Sequence, residues 1–312
     1  MNKRILFLTG PTAVGKSAVA AALAAKLNAE IISCDSMQIY KGMDIIASKP
    51  AKSLRKKIKH HLLDIVLPSR EYNVSRYRKE AVKKMRAIIK KGKTPLFTGG
   101  TGLYMSVLID GLFKGKGENK NIRRRLYKEA QRLGSGHLHK RLQKLDSPAA
   151  AKIHPNDTRR IVRALEVYES TGRPISCLQR ERKGLGSEYE IKSFCLNLSR
   201  DKLYQRIEER MEKMFRAGLV SEVKRLLRRG LSKTASGAIG IKELKGYFDG
   251  DYDLEEAKRQ ILRNTRQYAK RQLTWFRKDR RLLWLQVSER EAPGAIAKRI
   301  IDQYGKSVTG YN

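Results

Sequence analysis

Three cysteines, Cys34, Cys177 and Cys195, are too few and too scattered in 312 residues for a disulfide framework or a thiolate metal cluster. Their scarcity suits a reducing compartment. Apolar runs are short, and none approaches the length of a bilayer crossing. The first strand is expected at about Arg4, which leaves no room for a signal or transit peptide, so a cytoplasmic location is expected. Acid is scarce too: 31 Asp and Glu face 68 Lys and Arg, a formal charge of +37. Such a surface repels itself unless it meets a polyanion, which favours a nucleic acid as substrate or template over a basic surface kept only for solubility. Repeats and low-complexity segments are also lacking, and 40% hydrophobic residues suffice for one large or two modest folded domains.

What is present is concentrated first in Leu6-Phe7-Leu8-Thr9-Gly10-Pro11-Thr12-Ala13-Val14-Gly15-Lys16-Ser17. An apolar run stops at a glycine, turns over to Gly15 and enters an alanine-rich helix expected over residues 16–27. This is the G-x-x-x-x-G-K-[ST] spacing of a phosphate-binding P-loop. Its glycines let backbone N–H groups turn inward, and the helix N-terminus adds positive partial charge. Lys16 would place a point charge on the outer phosphate, and the Ser17 hydroxyl would ligate a Mg²⁺ ion bridging two phosphates. The alternative is an ordinary Gly/Ala turn; the strand, the spacing and the Lys-Ser pair argue against it.

A second strand, 30–34, ends at Asp35. In a doubly wound sheet, residues just beyond the strand ends face the ligand crevice, which makes Asp35 the candidate catalytic base. Taken alone, an Asp there would more simply cap the next turn. Residues 41–59, interrupted by Pro50, read as a loop leading into a short helix. Residues 60–66 read as a strand whose paired histidines lack the further ligands of a metal site and are structural. Tyr77, Ala81, Met85 and Ile88 mark the buried face of a helix over 74–91. A strand over 95–98 runs into Gly99-Gly100-Thr101-Gly102, where the glycines suit close approach of a ligand, with Thr101 as its contact, or a turn chosen for its φ angles.

From about Gly115 strand character disappears, and helices are expected near 119–133, 137–145, 155–170 and 175–182. Residues 118–188 therefore read as an inserted all-helical domain, with a P-loop core formed by 1–117 and 189–312. Arg159 and Arg163 share one helix face, either a solvated face or a phosphodiester contact. A strand over 190–198 returns to the sheet, followed by helices at 201–217, 220–229, 239–248 and 254–277, a last strand at 282–285, and a tail frayed after Gly305. Arg206 and Arg210, four apart, could clamp a diphosphate over the P-loop. The expected fold is α/β, a doubly wound, mainly parallel P-loop sheet with a helical insert.

Beyond the P-loop octapeptide stand Asp35-Ser36-Met37-Gln38-Ile39-Tyr40-Lys41-Gly42-Met43-Asp44, Gly99-Gly100-Thr101-Gly102-Leu103-Tyr104, His154-Pro155-Asn156-Asp157 with Arg163-Ala164-Leu165-Glu166, and Thr265-Arg266-Gln267-Tyr268-Ala269-Lys270-Arg271-Gln272. The series resembles the bacterial tRNA dimethylallyltransferases, also called tRNA isopentenyltransferases, from the first strand to about Trp284. The resemblance implies transfer of a dimethylallyl group from dimethylallyl diphosphate to the exocyclic amine of the adenosine 3′ of the anticodon. It implies that Gly10, Pro11, Thr12, Ala13, Val14, Gly15, Lys16 and Ser17, with Arg206 and Arg210, hold the donor's diphosphate, in a loop that would also suit ATP. Catalysis would fall to Asp35 as base, Lys16 and Thr101. The tRNA would be lined by Asp35, Ser36, Met37, Gln38, Thr101, Arg123, Arg159, Arg160, Ile161, Val162, Arg163 and Lys242, with the insert around the anticodon stem. Mg²⁺, the tRNA anticodon stem-loop and dimethylallyl diphosphate are the implied partners of a monomer without membrane contact.

The chemistry is consistent. The lone pair of an adenine amine is delocalised into the ring, so a carboxylate that takes its proton as the bond to carbon forms helps the attack. Cations stabilise the departing diphosphate, and the base must first leave its stack. Ile46 and Ala47 stand where the family usually has Gly and Thr, and Gly237 and Ile241 where a longer polar residue and a tyrosine are common. Two other classes remain: a P-loop kinase, which leaves the charge unexplained, and a nucleic-acid-binding module without transfer activity.

Overall fold

A computed structural model describes residues 4–113 and 117–305; the tail after Gly305 and the composition break at Gly115 lie outside them. Among the described residues six strands form one parallel sheet: β1 (Arg4–Thr9), β2 (Ala29–Ser33), β3 (His60–His61), β4 (Thr94–Thr98), β5 (Glu190–Asn197) and β6 (Leu282–Gln286), in the order β3-β2-β4-β1-β5-β6. Central β1 pairs Leu6 with Leu96 on one side and Lys192 on the other. A parallel sheet is covered on both faces, so its middle strands are apolar throughout rather than alternating, and Ile5, Leu6, Phe7 and Leu8 are all buried.

The helices are α1 (Lys16–Lys26), α2 (Lys52–Lys57), α3 (Val74–Lys90), α4 (Gly102–Ile109), α5 (Lys120–Leu133), α6 (Ser135–Leu145), α7 (Ser147–Ala150), α8 (Thr158–Thr171), α9 (Ile175–Arg180), α10 (Arg200–Arg216), α11 (Leu219–Arg228), α12 (Ile241–Asp249), α13 (Leu254–Arg277) and α14 (Pro293–Gly305). Two were not anticipated. The single turn α7 depends on its Asp146 cap, which accepts from Ala149 N–H. In α14, Ile296, Ala297, Ile300 and Tyr304 form an apolar stripe that joins the core beside α1.

The expected strand over 60–66 is cut to two residues. Only His60 and His61 pair with β2, because Leu62 and Asp64 turn to φ values of 62° and 56°, where a ladder cannot continue. Both histidines are structural: His61 Nε2 lies 2.7 Å from Glu30 Oε2 and His60 Nδ1 2.7 Å from the Ile58 carbonyl.

Internal packing divides the chain into Met1–Leu108 with Glu188–Asn312, and Ile109–Ser187. In the first unit Leu6, Leu8, Leu23, Ile31, Leu96, Phe194 and Leu196 form one core. Each such side chain contributes roughly 1.5–3 kcal/mol on burial, so Leu23→Ala would cost about 2–5 kcal/mol. The second unit packs α5 to α9 around Leu126, Leu138, Leu142, Ile161 and Leu165. Helix α8 starts where the Asp157 carboxylate accepts from Arg160 N–H and stops at Gly172, whose left-handed φ of 71° favours glycine.

Candidate active site

The loop after β1 is shaped from both sides. A Cβ on Gly10 would lie 2.6 Å from the Leu196 carbonyl of β5, and Gly15 opens α1 with a φ of 99°. Lys16 folds over the loop, its Nζ donating to the carbonyls of Gly10 (2.9 Å) and Pro11 (2.7 Å). Burial pushes this amine down to about 8; the Asp35 carboxylate opposes that shift and the Arg210 guanidinium adds to it. One loop amide is already taken: Thr12 N–H donates to Gln272 Oε1 at 2.8 Å.

A cleft of about 680 Å³ opens from this loop within the first unit. Its polar walls are Thr12, Ala13, Gly15, Lys16 and Ser17; Asp35, Ser36, Met37 and Gln38; and Thr98, Arg210, Tyr268 and Arg271. Its apolar wall is Ile46, Ile207, Met211, Met214, Ile239 and Ile261. Asp35 is therefore a cap and a cleft residue at once: Oδ1 accepts from Met37 N–H at 2.9 Å, while the charge acts on Lys16, Arg210 and Tyr268. Burial pushes the Arg210 guanidinium below its ordinary value, with Asp35 working against it. Arg206 sits beside the loop instead, its Nη1 donating to the Val14 carbonyl at 3.4 Å.

The glycine turn is closely packed by the protein's own chain and does not depend on positive φ. Cβ atoms on Gly99, Gly100 and Gly102 would lie 2.1 Å from the Cys34 carbonyl, 2.2 Å from Gln272 Nε2 and 2.2 Å from Trp275 Cδ1, and none of the three needs a positive φ. Gly99 also lines the cleft beside Thr98. Thr101 Oγ1 accepts from Ser36 N–H at 3.1 Å and also meets the Tyr268 phenol. It ties the Asp35 loop to α13.

Gln38 lines the cleft and is also bonded within its own loop: Nε2 donates to the Ala47 and Ser48 carbonyls, each at 3.4 Å, and Oε1 accepts from Ser33 Oγ at 3.0 Å. One expectation needs correcting. Ile161 and Val162 are 0% and 1% exposed, so their side chains are packing groups and the outward members of that segment are Arg159 and Arg160. Arg123 and Arg163 are half-buried, both bonded to the buried Glu166 carboxylate, and Lys242 is exposed on α12. Burial raises the Glu166 pKa, but Arg163, the Asn119 N–H and Arg123 together outweigh it and hold the carboxyl below its ordinary value.

Several residues that build the site were given no role from the sequence. Glu222 of α11, 3% exposed, accepts from the N–H groups of Asp44, Ile45 and Ile46 at 2.9–3.1 Å and so holds the loop that carries Ile46 into the cleft. Ile46 also packs within 3.3 Å of the space a Cβ on Gly240 would take. Ile241 is buried in the core, while Gly237 faces open space. Thr265, Tyr268 and Gln272 follow the 3-4 spacing of one helix face, a signal present in the quoted motif, and Ile261, four residues earlier, extends it.

For Mg²⁺ the donors fit. The cation prefers hydroxyl and carboxylate oxygens together with substrate phosphates and water. Ser17 and Asp35 line the cleft with Thr98, whose buried Oγ1 makes no hydrogen bond within the protein. Among the described residues no group of three or more His, Cys, Asp or Glu forms a metal cluster.

A loop of P-loop spacing after β1, a carboxylate beyond β2 and a half-buried arginine, gathered in one cleft, mark a P-loop α/β enzyme. Residues 38–279 match the IPP transferase family. The tRNA dimethylallyltransferases of Carboxydothermus hydrogenoformans and Thermotoga maritima are 45% and 44% identical to this chain, covering 98% and 91% of it and 98% and 93% of their own lengths. The solved tRNA isopentenylpyrophosphate transferase of Bacillus halodurans is similar at TM-score 0.71 and 37% identity, over 97% of both chains. A solved eukaryotic dimethylallyltransferase described as acting on tRNA is similar at TM-score 0.77 and 29% identity, over 96% of this chain and 78% of that one. The chain belongs to the tRNA dimethylallyltransferase family.

Proposed function

We propose that the protein transfers the dimethylallyl group of dimethylallyl diphosphate to the exocyclic amine of the adenosine next to the anticodon of tRNA, releasing diphosphate. The observation that carries this reading is the single cleft shared by Lys16, Arg210, Asp35 and an aliphatic wall. Lys16 and Arg210, with the remaining loop amides, hold the diphosphate and take up its growing charge as the carbon–oxygen bond breaks. Mg²⁺ held by Ser17 through its hydroxyl would neutralise further phosphate charge. Asp35 receives the proton of the amine as the carbon–nitrogen bond forms, and the Tyr268 phenol, kept neutral by burial and by Asp35's charge, walls the purine. The aliphatic side chains receive the prenyl tail. Residues 118–188, led by Arg159 and Arg160, contact the anticodon stem.

The test is mass spectrometry of anticodon stem-loop RNA incubated with protein, Mg²⁺ and either dimethylallyl diphosphate or ATP. A prenyl increment on the adenosine is expected with the first donor, and a phosphoryl increment with the second would overturn the reading. Asp35→Asn should lower transfer at least a thousandfold while RNA affinity changes less than threefold. Equal loss of both would remove Asp35 from the role of base.

A further inference from the structure

Gln272 projects from α13 into the gap between the phosphate loop and the glycine turn. Its side chain is 6% exposed and bonded in two directions, Oε1 accepting from Thr12 N–H and Nε2 donating to the Gly100 carbonyl, both at 2.8 Å. Those partners lie 260 and 172 residues away in sequence. A second observation is independent of the bonds. Gly100 needs no left-handed φ, yet a Cβ there would stand 2.2 Å from Gln272 Nε2, so a side chain at this position would have to displace the carboxamide. The same helix brings Thr265, Tyr268 and Arg271 into the cleft wall.

A carboxamide accepts at its oxygen and donates from its nitrogen, so this one neutral side chain serves both backbone groups at once. Glutamate would accept from Thr12 but repel the Gly100 carbonyl, and alanine would do neither. We propose that Gln272 is a positioning residue: it fixes the separation between the loop that holds the donor's diphosphate and the turn that supports the acceptor pocket, so that the two reacting atoms meet in register. The proposal rests on the donor and acceptor assigned above. Because it concerns relative placement rather than contact with either substrate, its loss falls on turnover, where a displacement of about 1 Å can cost a hundredfold.

The experiment is a double-mutant cycle of Gln272→Ala and Gly100→Ala, followed by steady-state transfer to anticodon stem-loop RNA and by hydrogen exchange at the Thr12 amide. Gln272→Ala should lower kcat at least thirtyfold with both KM values within threefold, and should speed Thr12 exchange at least tenfold. Gly100→Ala should lower kcat at least tenfold in the wild-type background but less than twofold in Gln272→Ala, since its only obstacle has gone. Gln272→Glu, close in size, should lower kcat at least tenfold and serves should the alanine variant fail to fold. Multiplicative losses in the cycle, a loss confined to either KM, or a fully active Gln272→Glu would overturn the proposal. If the wild-type protein transfers no prenyl group, the donor assignment fails instead, and Thr12 exchange still reports whether the link exists.

Discussion

Lys16 keeps a charge in a half-buried position on the cleft wall. With its amine pushed down to about 8 from an ordinary 10.5, the residue is protonated at pH 7 in both folded and unfolded chains, and the folded one bears the desolvation cost. That cost is about 3 kcal/mol, so Lys16→Met should raise stability at pH 7 by up to this amount, measured by urea unfolding, while abolishing transfer. Between about pH 8 and 10.5 the unfolded chain keeps a proton that the folded one has lost. Stability from this group therefore rises with pH there, and the gap between variant and wild type should close. For function the sign is opposite: kcat/KM for the donor should fall above about pH 8, as the free enzyme loses the cation that meets diphosphate. A pH-independent profile to pH 9.5 would contradict this. At the same scale, the spacing of Gly10, Gly15 and Lys16 was legible because a phosphate cradle constrains backbone and charge at fixed offsets. The hydrogen bonds that tie Gln38 to Ala47, Ser48 and Ser33 were not, since a polar side chain at a strand end carries no sequence mark of the loop atoms it will meet.

Among the elements, the stretch from Asp44 to Ser48 shows how a loop is made firm without secondary structure. Three successive N–H groups converge on Glu222, the Ala47 and Ser48 carbonyls accept from Gln38, and the buried Lys49 ammonium donates to the Tyr40 carbonyl and to Asp44. Glu222→Gln exchanges a charged acceptor of three bonds for a neutral one whose second atom can only donate. It should cost about 2–4 kcal/mol in chemical denaturation. It should also raise the donor KM, because Ile46 lines the cleft; an unchanged stability would deny Glu222 this role. Periodicity made α3, α5, α8, α10 and α13 readable, and the apolar runs gave away all the central strands. It failed at residues 60–66, where β-like composition is overridden by two left-handed residues, Leu62 and the salt-bridged Asp64. It failed again at Glu222, because a buried carboxylate on an amphipathic helix carries no sequence mark of the amides it will meet.

For the whole molecule, the charge of +37 is the dominant long-range property. Acidic residues are largely drawn into local pairs, such as Glu166 with Arg123 and Arg163 and Glu169 with Arg125 and Arg141, so the surplus cations define the outer field. RNA affinity should fall with log salt at a slope steeper than about −4, the counterion release expected for some six phosphates. Arg159→Ala should flatten that slope by about 0.7 with donor affinity unchanged, and filter binding across salt concentrations checks both. An unaltered slope would leave Arg159 a solvated residue.

The strand order has one more consequence, and it concerns time. Because β1 lies between β4 and β5, its second edge stays unpaired until Glu190–Asn197 emerges from the ribosome, after every residue of the helical unit has been made. The helical unit, closed by contacts local in sequence, is complete before the sheet that precedes it in the chain. Throughout that interval the nascent protein exposes an apolar half-sheet, and a stall in translation before Glu190 would leave that edge open to aggregation.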